Sequence, residues 1–209
     1  MTRVKVCGLC RVEDVELALG LGAHALGFIF EPSSPRYIGD DREIIRLPKT
    51  FGPYATSVAV YGNLPAVFRH ECQVVQFAEG CWREHGTRFV RAIRFREPKT
   101  LLEAKNMIEG ALKSCTGAEA LLLDAFDPNA YGGTGKRVDW DLAAELVQSL
   151  TVPVILAGGL TPENVGEAIA KVRPYSVDVS SGIESEPRKK DPHKVRDFIQ
   201  AALDFAPGI

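Results

Sequence analysis

The first residues of this sequence that could do chemistry are two cysteines, Cys7 and Cys10, at the end of the run "VKVCGLC". A Cys-x-x-Cys spacing is typical of a redox pair or of half a zinc site, whereas a lone thiol in a cavity can transfer a proton. Structural zinc usually takes about four ligands in two close pairs, and no second close pair is present in the sequence. The other cysteines are Cys72, Cys81 and Cys115. An odd number of cysteines without an export signal argues against a disulfide framework.

A carboxylate, Asp124, directly follows the apolar run "LLL", where a strand is predicted to end. A carboxyl group at such a position can act as a general acid or base. Asp127 precedes Pro128 and is better explained as a residue that caps a turn. Arg36, in "EPSSPRYI", is within reach of the same edge of the sheet, although a lone loop arginine is more often simply solvated.

Glycine-containing segments follow two strands late in the chain. Gly158 and Gly159 lie in "AGGL", and Ser181 and Gly182 lie in "SSG". Backbone N–H groups in loops of this kind bind phosphate, and the last two βα loops of a barrel are a common place for it. Either loop alone is consistent with a tight turn, but two of them in adjacent units favour a phosphate site.

A third glycine-rich segment, "YGGTGK" at 131–136, resembles a P-loop only superficially. Ala130 occupies the position of the first P-loop glycine, and Arg137 replaces the Ser or Thr that would bind magnesium. We interpret the segment as a mobile lid over the site.

Runs of β-branched residues alternate with amphipathic segments, as expected for repeated βα units. Strands are predicted at 4–7, 25–30, 55–61, 73–77, 88–95, 119–126, 152–157 and 175–180, and helices at 11–22, near 40–47, at 99–112 and 139–149, from Pro162 (with Thr161 as N-cap) to about 172, and at 192–204. Parallel strands with right-handed crossovers form a closed barrel or an open, doubly wound sheet. The Rossmann glycine fingerprint is missing after the first strand, which weakens the open sheet. We therefore predict an α/β fold, a single (β/α)8 TIM barrel, as one domain over residues 1–209.

A barrel of this kind brings the strand ends with Cys7 and Asp124 and both glycine loops to one face. Strand parity adds a further pair of residues. Lys5 shares a face with Cys7, and Asp178 shares a face with Ser180. If both faces point inward, Lys5 and Asp178 of the neighbouring first and eighth strands form an interior ion pair below the site.

Composition excludes several classes of function. The chain has 25 basic and 27 acidic residues and a net charge of −2, so it has no basic footprint for nucleic acid or for a membrane surface. No stretch approaches the roughly 20 apolar residues of a membrane span, and the N-terminus lacks an apolar signal region. We expect a cytoplasmic protein that binds neither nucleic acid nor membrane.

Taken in order, these segments resemble the phosphoribosylanthranilate isomerase family of tryptophan biosynthesis. The matching motifs are "VKVCGL", "ALGFIFEPSSPRYI", "LLLDA" with "YGGTGK" and "DW", "AGGLTPENV" and "VDVSSGIE", which span nearly the whole chain. The resemblance implies one barrel without cofactor or metal that acts on a small molecule as a monomer or homodimer. The implied reaction is the Amadori rearrangement of N-(5-phosphoribosyl)anthranilate to 1-(2-carboxyphenylamino)-1-deoxyribulose 5-phosphate.

The resemblance also implies roles for individual residues. Cys7 would be the general base, Asp124 the general acid, and Arg36 the group that holds the anthranilate carboxylate. The further substrate-binding residues are Gly158, Gly159, Asp178, Ser181 and Gly182, in which the glycines and the serine hold the phosphate through backbone groups. An ordinary thiol has a pKa near 8.5 and is only about a few per cent ionised at pH 7, so we expect Lys5 and the next helix N-terminus to favour the thiolate.

Two positions depart from the family pattern. Cys10 stands where threonine is usual, so we expect it to cap the first helix, which would make the Cys-x-x-Cys spacing incidental. Ala78, in "VVQFAEG", stands where the family often has a histidine. We expect that contact with the anthranilate to be missing or to be supplied by another residue.

Two other functions compete with this one. A phosphosugar isomerase of histidine biosynthesis performs the same type of step, but those barrels have an aspartate in place of Cys7 and a twice-repeated chain with two phosphate sites. An inactive phosphosugar-binding barrel is the non-enzymatic alternative, and the presence of both Cys7 and Asp124 argues against it. Consumption of a fluorescent anthranilate substrate would separate an isomerase from a binding protein.

Overall fold

The computed structural model describes residues 1–39, 41, 43–44, 47, 55–63, 71–81, 88–95, 100–125 and 139–205. The predicted lid at 131–136 lies outside these residues, and so does half of the helix predicted near 40–47. The prediction of one domain over residues 1–209 stays a prediction.

Eight parallel strands close into a barrel in the order of the chain, since β1 pairs with both β2 and β8. The strands are β1 (Arg3–Cys7), β2 (Ala25–Ile29), β3 (Thr56–Asn63), β4 (Val74–Glu79), β5 (Arg88–Phe95), β6 (Ala120–Ala125), β7 (Val154–Leu156) and β8 (Ser176–Val179). The predicted (β/α)8 barrel is therefore confirmed, and the open sheet is excluded. Every predicted strand overlaps the observed one, and β5 agrees at both ends.

The described helices are α1 (Val12–Gly20), α2 (Leu101–Ser114), α3 (Trp140–Ser149), α4 (Val165–Val172) and α5 (Pro192–Asp204). Three of them begin at a side chain that accepts hydrogen bonds from the first free backbone N–H groups, namely Thr100, Asp139 and Asp191. In the described part of the chain, no helix has the length and apolar character required to span a bilayer.

The start of α4 corrects a prediction. Thr161 is not the N-cap, because the helix begins at Val165 with Asn164 in the N-cap position. The Asn164 side chain accepts a hydrogen bond from the Thr161 N–H at 2.9 Å and donates one to the Gly159 carbonyl at 2.9 Å. These two bonds stabilise a turn ahead of the helix, as asparagine side chains often do.

Alternation along each strand separates two apolar layers. Inward-facing residues fill the barrel, and they include Val58, Val74, Val90, Ala120, Leu122, Ile155 and Ala157. Outward-facing residues of the same strands pack under the helices, and they include Val4, Val6, Leu26, Phe28, Leu121, Leu123, Leu156 and Val177. The helical layer covers the barrel from outside, and the carboxyl ends of the strands remain available for a site.

A short hairpin follows β8. One turn of 3-10 helix (Ser181–Ile183) leads into two antiparallel strands, β9 (Glu184–Glu186) and β10 (Lys189–Lys190). Arg188 at the turn has a left-handed φ of 75°, and its guanidinium donates to the Tyr37 carbonyl at 2.7 Å. The hairpin therefore holds the loop that follows β2.

One pair of cysteines forms a disulfide, although the odd number of cysteines argues against a disulfide framework. Cys81, just after β4, is bonded to Cys115 at the end of α2. The two residues are 34 apart in sequence, and the fold brings their Cα atoms to 4.9 Å, which suits a disulfide. Cys7 and Cys10, the pair with the redox spacing, carry free thiols instead.

Candidate active site

A cavity opens at the carboxyl ends of the strands, and residues from all eight βα units line it. Every site residue predicted from the sequence lies in this lining: Cys7, Arg36, Asp124, Gly158, Gly159, Asp178, Ser181 and Gly182. Among the described residues, no group of three or more His, Cys, Asp or Glu side chains is arranged to hold a metal ion.

Cys7 ends β1 and is 6% exposed. Gly27, its neighbour on β2, leaves room for the thiol, because a Cβ atom at position 27 would lie 2.7 Å from Sγ of Cys7. Burial raises the pKa of the Cys7 thiol, and the charge of Lys5 offsets this effect only in part. The expectation that Lys5 favours the thiolate is right in direction, but burial is the larger effect and leaves the thiol with a raised pKa.

The interior ion pair predicted from strand parity is present. Nζ of Lys5 donates to Oδ1 of Asp178 at 2.9 Å, and the two side chains are 4% and 9% exposed. Burial lowers the pKa of Lys5, but Asp178 and Cys7 together raise it more, so the ammonium remains charged at neutral pH. Asp178 therefore lies at the cavity with one oxygen committed to Lys5.

Asp178→Asn is expected to destabilise the fold by about 3–5 kcal/mol, because it leaves the buried Lys5 ammonium without a counter-charge. Urea unfolding measures the loss, and the double variant Lys5→Met/Asp178→Leu serves as the control. Removing both charges should cost less than Asp178→Asn alone. A single variant as stable as the original chain would contradict the pairing.

Gly27→Ala is expected to lower kcat/KM by about 10²-fold, because the new Cβ would also lie 3.1 Å from Cα of Cys7 and must displace the thiol. Gly110→Ala in α2 is the matched control. A Cβ at Gly110 meets nothing within 4 Å, so this change should leave kcat/KM unchanged and stabilise the helix by roughly 0.5–1 kcal/mol. Equal rates in the two variants would show that the Cys7 position does not matter.

Asp124 lies near the end of β6 and lines the same cavity as Cys7. Its register partner on β5 is Arg94, which also lines the cavity. In the closed ring, β7 and β8 separate the strand of Asp124 from the strand of Cys7. The Asp124 carboxyl and the Cys7 sulfur therefore lie on either side of β7 and β8, the two strands whose following loops are predicted to bind phosphate.

Arg36 is buried, and Glu184 holds its guanidinium. Nε of Arg36 donates to Glu184 at 2.8 Å and Nη2 donates at 2.6 Å, which is a bidentate pair. Burial raises the pKa of Glu184, but Arg36 and Lys190 lower it more, so the carboxylate stays ionised at neutral pH. Nη1 of Arg36 has no hydrogen-bond partner within the described ranges and can reach a ligand.

Lys190 was not identified from the sequence, and it lies directly behind Cys7. This lysine is 2% exposed, and its Nζ donates to the Cys7 carbonyl at 2.8 Å, to the Ser180 carbonyl at 3.0 Å and to Glu184 at 3.1 Å. Lys190 and Glu184 thus connect β1, β8 and Arg36. Both residues lie in the charged run "ESEPRKK". A run of this kind is usually exposed, so the sequence does not indicate that Glu184 and Lys190 are buried.

Cys10 does not cap α1, which corrects another prediction. The N-cap is Arg11, and its side chain makes no capping hydrogen bond. The Cys10 thiol donates instead to the carbonyls of Gly8 at 3.6 Å and Arg36 at 3.4 Å. Cys10 therefore links the loop after β1 to the loop after β2, and it is not among the residues that line the cavity.

The predicted phosphate loops lie against each other. Gly158 and Gly159 have left-handed φ values of 85° and 63°, and among the described residues their N–H groups have no hydrogen-bond acceptor. A side chain at Gly182 would collide with the carbonyl oxygen of Leu160, so only glycine allows the loops after β7 and β8 to meet. Oγ of Ser180, just after β8, is buried and has no hydrogen-bond partner in the described chain; it lies beside Gly8, in the loop after β1. The arrangement suits an anion bound by backbone groups.

Ala78 lines the cavity on β4, so the position where the family often has a histidine does face the site. Gln76, two residues earlier on the same face, also lines the cavity and was not singled out from the sequence. Arg94, on the neighbouring strand β5, also lines the cavity. An alanine side chain makes no hydrogen bond, so a polar contact at this part of the wall must come from another residue.

Comparison with known proteins agrees with this geometry. The family model described as N-(5'phosphoribosyl)anthranilate (PRA) isomerase matches residues 4–201. The N-(5'-phosphoribosyl)anthranilate isomerase of Geobacter metallireducens is 39% identical over 97% of this chain and 99% of its own length.

Solved structures agree as well. A phosphoribosyl anthranilate isomerase in complex with reduced 1-(o-carboxyphenylamino)-1-deoxyribulose 5-phosphate is 29% identical, with a TM-score of 0.72 over 98% of this chain and 100% of that one. A second structure shows monomers generated from the dimeric phosphoribosylanthranilate isomerase of Thermotoga maritima. It is 28% identical, with a TM-score of 0.72 over 98% of this chain and 100% of that one. The chain belongs to the N-(5'-phosphoribosyl)anthranilate isomerase family.

Proposed function

We propose that Cys7 and Asp124 are the acid–base pair of the isomerase and act on a ribose bound between them. The reaction is the aldose–ketose isomerisation of N-(5-phosphoribosyl)anthranilate to 1-(2-carboxyphenylamino)-1-deoxyribulose 5-phosphate, a step of tryptophan biosynthesis. The observation that carries the proposal is that a buried thiol from β1 and a carboxyl from β6 line one cavity on either side of two phosphate-type loops. A proton donor and a proton acceptor on one bound sugar are what this reaction needs.

The first step opens the sugar ring. Asp124 donates a proton to the ring oxygen as the bond from that oxygen to C1′ breaks, and the nitrogen electron pair forms a C1′=N double bond. The Cys7 thiolate then removes the proton on C2′, and the C–H electron pair becomes the C1′=C2′ bond of an enolamine. In the last step the hydroxyl on C2′ loses its proton and C1′ gains one, which gives the ketone. The rearrangement consumes no proton overall and needs no oxidant or reductant.

The base must be ionised for the second step. The raised pKa of Cys7 keeps the thiolate fraction at neutral pH below the few per cent of an ordinary thiol. Lys5 is the nearest cation, and its interaction with the sulfur favours the thiolate. Low thiolate content is compensated in part because a base with a higher pKa binds the transferred proton more strongly.

The cavity wall suggests how the substrate is oriented. The backbone groups of Gly158, Gly159, Ser181 and Gly182 bind the phosphate, and the sugar then extends between Cys7 and Asp124. The anthranilate lies toward β2, where Nη1 of Arg36 can hold its carboxylate while Glu184 fixes the rest of the guanidinium. Asp178 supports the site through Lys5 and borders the bound sugar.

Generation of the substrate in situ tests the activity. Anthranilate is converted to its fluorescent phosphoribosyl derivative by a transferase, and the protein is then added. We expect the fluorescence to decay at a rate proportional to the protein concentration, as the ketone product forms. Fluorescence that persists while the protein binds the substrate would instead indicate a phosphosugar-binding barrel without activity.

We further propose that the enzyme works in the cytoplasm as a monomer or homodimer and without a cofactor. The Thermotoga maritima relative is described as dimeric. Because it is 28% identical to this chain, the surface residues that form its dimer can be different here. Light scattering at several protein concentrations distinguishes the two states.

A further inference from the structure

Gln76 is a buried polar residue to which no role has been assigned. It lies on β4, is 6% exposed and lines the cavity. Its Oε1 atom is buried and has no hydrogen-bond partner within the described part of the chain. Buried side-chain polar atoms are nearly always hydrogen-bonded, so an exception at a cavity wall requires an explanation.

Strand register places Gln76 close to the reacting centre. The hydrogen-bonded row that starts at Cys7 runs through Gly27 and Val58 to Val74, and Gln76 is two residues beyond Val74 toward the mouth of the cavity. Strands in a (β/α)8 barrel tilt by about 36° from the barrel axis. On each successive strand from β1 to β4, the residue at the height of Cys7 therefore lies about one position further from this row, toward the mouth of the cavity. Gln76 therefore lies at about the height of Cys7.

The wall that carries Gln76 faces the wall that carries the phosphate loop. β4 and β8 are four strands apart in a ring of eight, so Gln76 is opposite Asp178 and the loop that follows it. Asp178 is already paired with Lys5, and across the cavity the Oε1 atom of Gln76 has no such partner among the described residues. Gln76 lines the space between these walls, so a molecule that fills this space can contact its amide.

An unsatisfied buried amide is costly to the empty fold. Leaving a buried acceptor without a donor costs more than a hydrogen bond gains, whereas an apolar side chain of the same shape would avoid the penalty. The sequence uses apolar residues at neighbouring inward positions on the same level, Val60 and Ala92. A hydrogen bond to a ligand therefore explains a glutamine at this position better than side-chain packing does.

We propose that Gln76 is a further substrate-binding residue, whose amide hydrogen-bonds to a ribose hydroxyl on C2′ or C3′. The inference deepens the proposed function and rests on it. Cys7 must reach the hydrogen on C2′, and the phosphate and the ring oxygen are assigned to other groups, so these hydroxyls are the sugar oxygens left to face β4.

The chemistry of an amide suits this position. A carboxamide both accepts and donates, so it can accept from the C2′ hydroxyl of the substrate and donate to the C2′ carbonyl of the product. Such a contact is retained along the reaction and contributes to binding more than to the chemical step. Its removal should raise KM and leave kcat almost unchanged.

Gln76→Leu is the test, and Gln73→Leu is the matched control. Gln73 lies just before β4 but not in the cavity lining, and its Oε1 accepts from the Ser57 N–H at 3.0 Å. For Gln76→Leu we expect a KM about 5- to 100-fold higher, a kcat within about threefold and a melting temperature that is unchanged or raised. Gln73→Leu should show the opposite pattern, with unchanged kinetics and a melting temperature lower by about 2–4 °C.

Calorimetric titration separates the outcomes. Gln76→Leu should weaken binding of the reduced product, 1-(o-carboxyphenylamino)-1-deoxyribulose 5-phosphate with C2′ reduced, by the same factor and leave binding of inorganic phosphate unchanged. Equal affinity of variant and original chain for the reduced product would overturn the proposal. A lower melting temperature with parallel loss of phosphate binding would show a structural role and also overturn it.

A second variant keeps the proposal testable if Gln76→Leu does not fold. Gln76→Met keeps the length of the side chain without its polar atoms and should give the same kinetic pattern. If neither variant folds, Gln76 is required by the fold and the proposal is wrong. If the original chain binds the reduced product but does not isomerise, the proposed function fails, while the titration still tests the contact with Gln76.

Discussion

Cys7→Ser is expected to lower kcat/KM by about 10²- to 10⁴-fold, the contribution typical of a positioned general base. Serine keeps the size of the side chain but replaces the thiol with a hydroxyl, which is far less readily ionised. Cys7 is buried, and the other polar residues on its face of β1 are Arg3 and Lys5, two cations that cannot accept a proton in its place. Binding of the reduced product should remain close to normal, because the phosphate loops are untouched.

Cys10→Ser provides the control for this result. Cys10 is the second thiol of the same loop, it does not line the cavity, and a hydroxyl can still donate to the carbonyls of Gly8 and Arg36. The in situ fluorescence assay should give an almost unchanged rate for Cys10→Ser. Nearly normal activity of Cys7→Ser, or equal losses in the two variants, would show that Cys7 is not the base.

Asp124→Asn is expected to reduce kcat by a similar factor, about 10²- to 10⁴-fold, with little change in affinity for the reduced product. The amide has nearly the shape of the carboxyl but cannot deliver a proton to the ring oxygen. Ring opening should then limit the rate, so deuterium on C2′ should slow the variant less than it slows the original chain. A larger isotope effect in the variant would contradict the role of Asp124 in the first step.

Asp141→Asn is a suitable control for Asp124→Asn. Asp141 lies in the first turn of α3, is paired with Lys171 on the surface and does not line the cavity. An exposed ion pair contributes about 0–1 kcal/mol, so this change should affect neither the rate nor the fold to a measurable extent. Similar losses for Asp141→Asn and Asp124→Asn would point to a general effect of charge.

The sequence predicted the parts of the fold and site that follow from short-range periodicity. Alternation with period two identified the strands, and a chain of βα units leaves few ways to arrange them. Because parallel strands end on one face, Cys7 and Asp124 could be placed together without knowledge of their distance. The same parity argument placed Lys5 opposite Asp178, and the ion pair is present at 2.9 Å.

The parts that the sequence did not predict depend on contacts between distant segments. Glu184 and Lys190 are charged residues in a charged run, and only the fold shows that Arg36 and the Cys7 carbonyl surround them. Burial of Cys7 outweighs Lys5 in setting the thiol pKa, and burial is a property of the packed barrel. A signal for Gln76 was present in the sequence: it is two residues before Ala78 and therefore shares the face of β4 that lines the cavity.

Two local predictions failed for a related reason. Thr161 is a predicted cap because it directly precedes Pro162 at a predicted helix start, and Cys10 is one because it stands where the family usually has threonine. Asn164 and the carbonyl of Arg36 offer other hydrogen bonds, and the loops adopt the turns that these bonds favour. Capping patterns in functional loops are therefore weaker guides than the same patterns in ordinary connections.

The most direct test of the central claim is a crystal structure of this chain with the reduced product bound. We expect Sγ of Cys7 to lie within about 3.5 Å of C2′ and the Asp124 carboxyl to contact the opposite side of the sugar chain, near the former ring oxygen. The phosphate should contact the loops after β7 and β8. A ligand whose C2′ lies out of reach of Cys7, with the thiol and the carboxyl both against the anthranilate, would contradict the assignment of the acid–base pair.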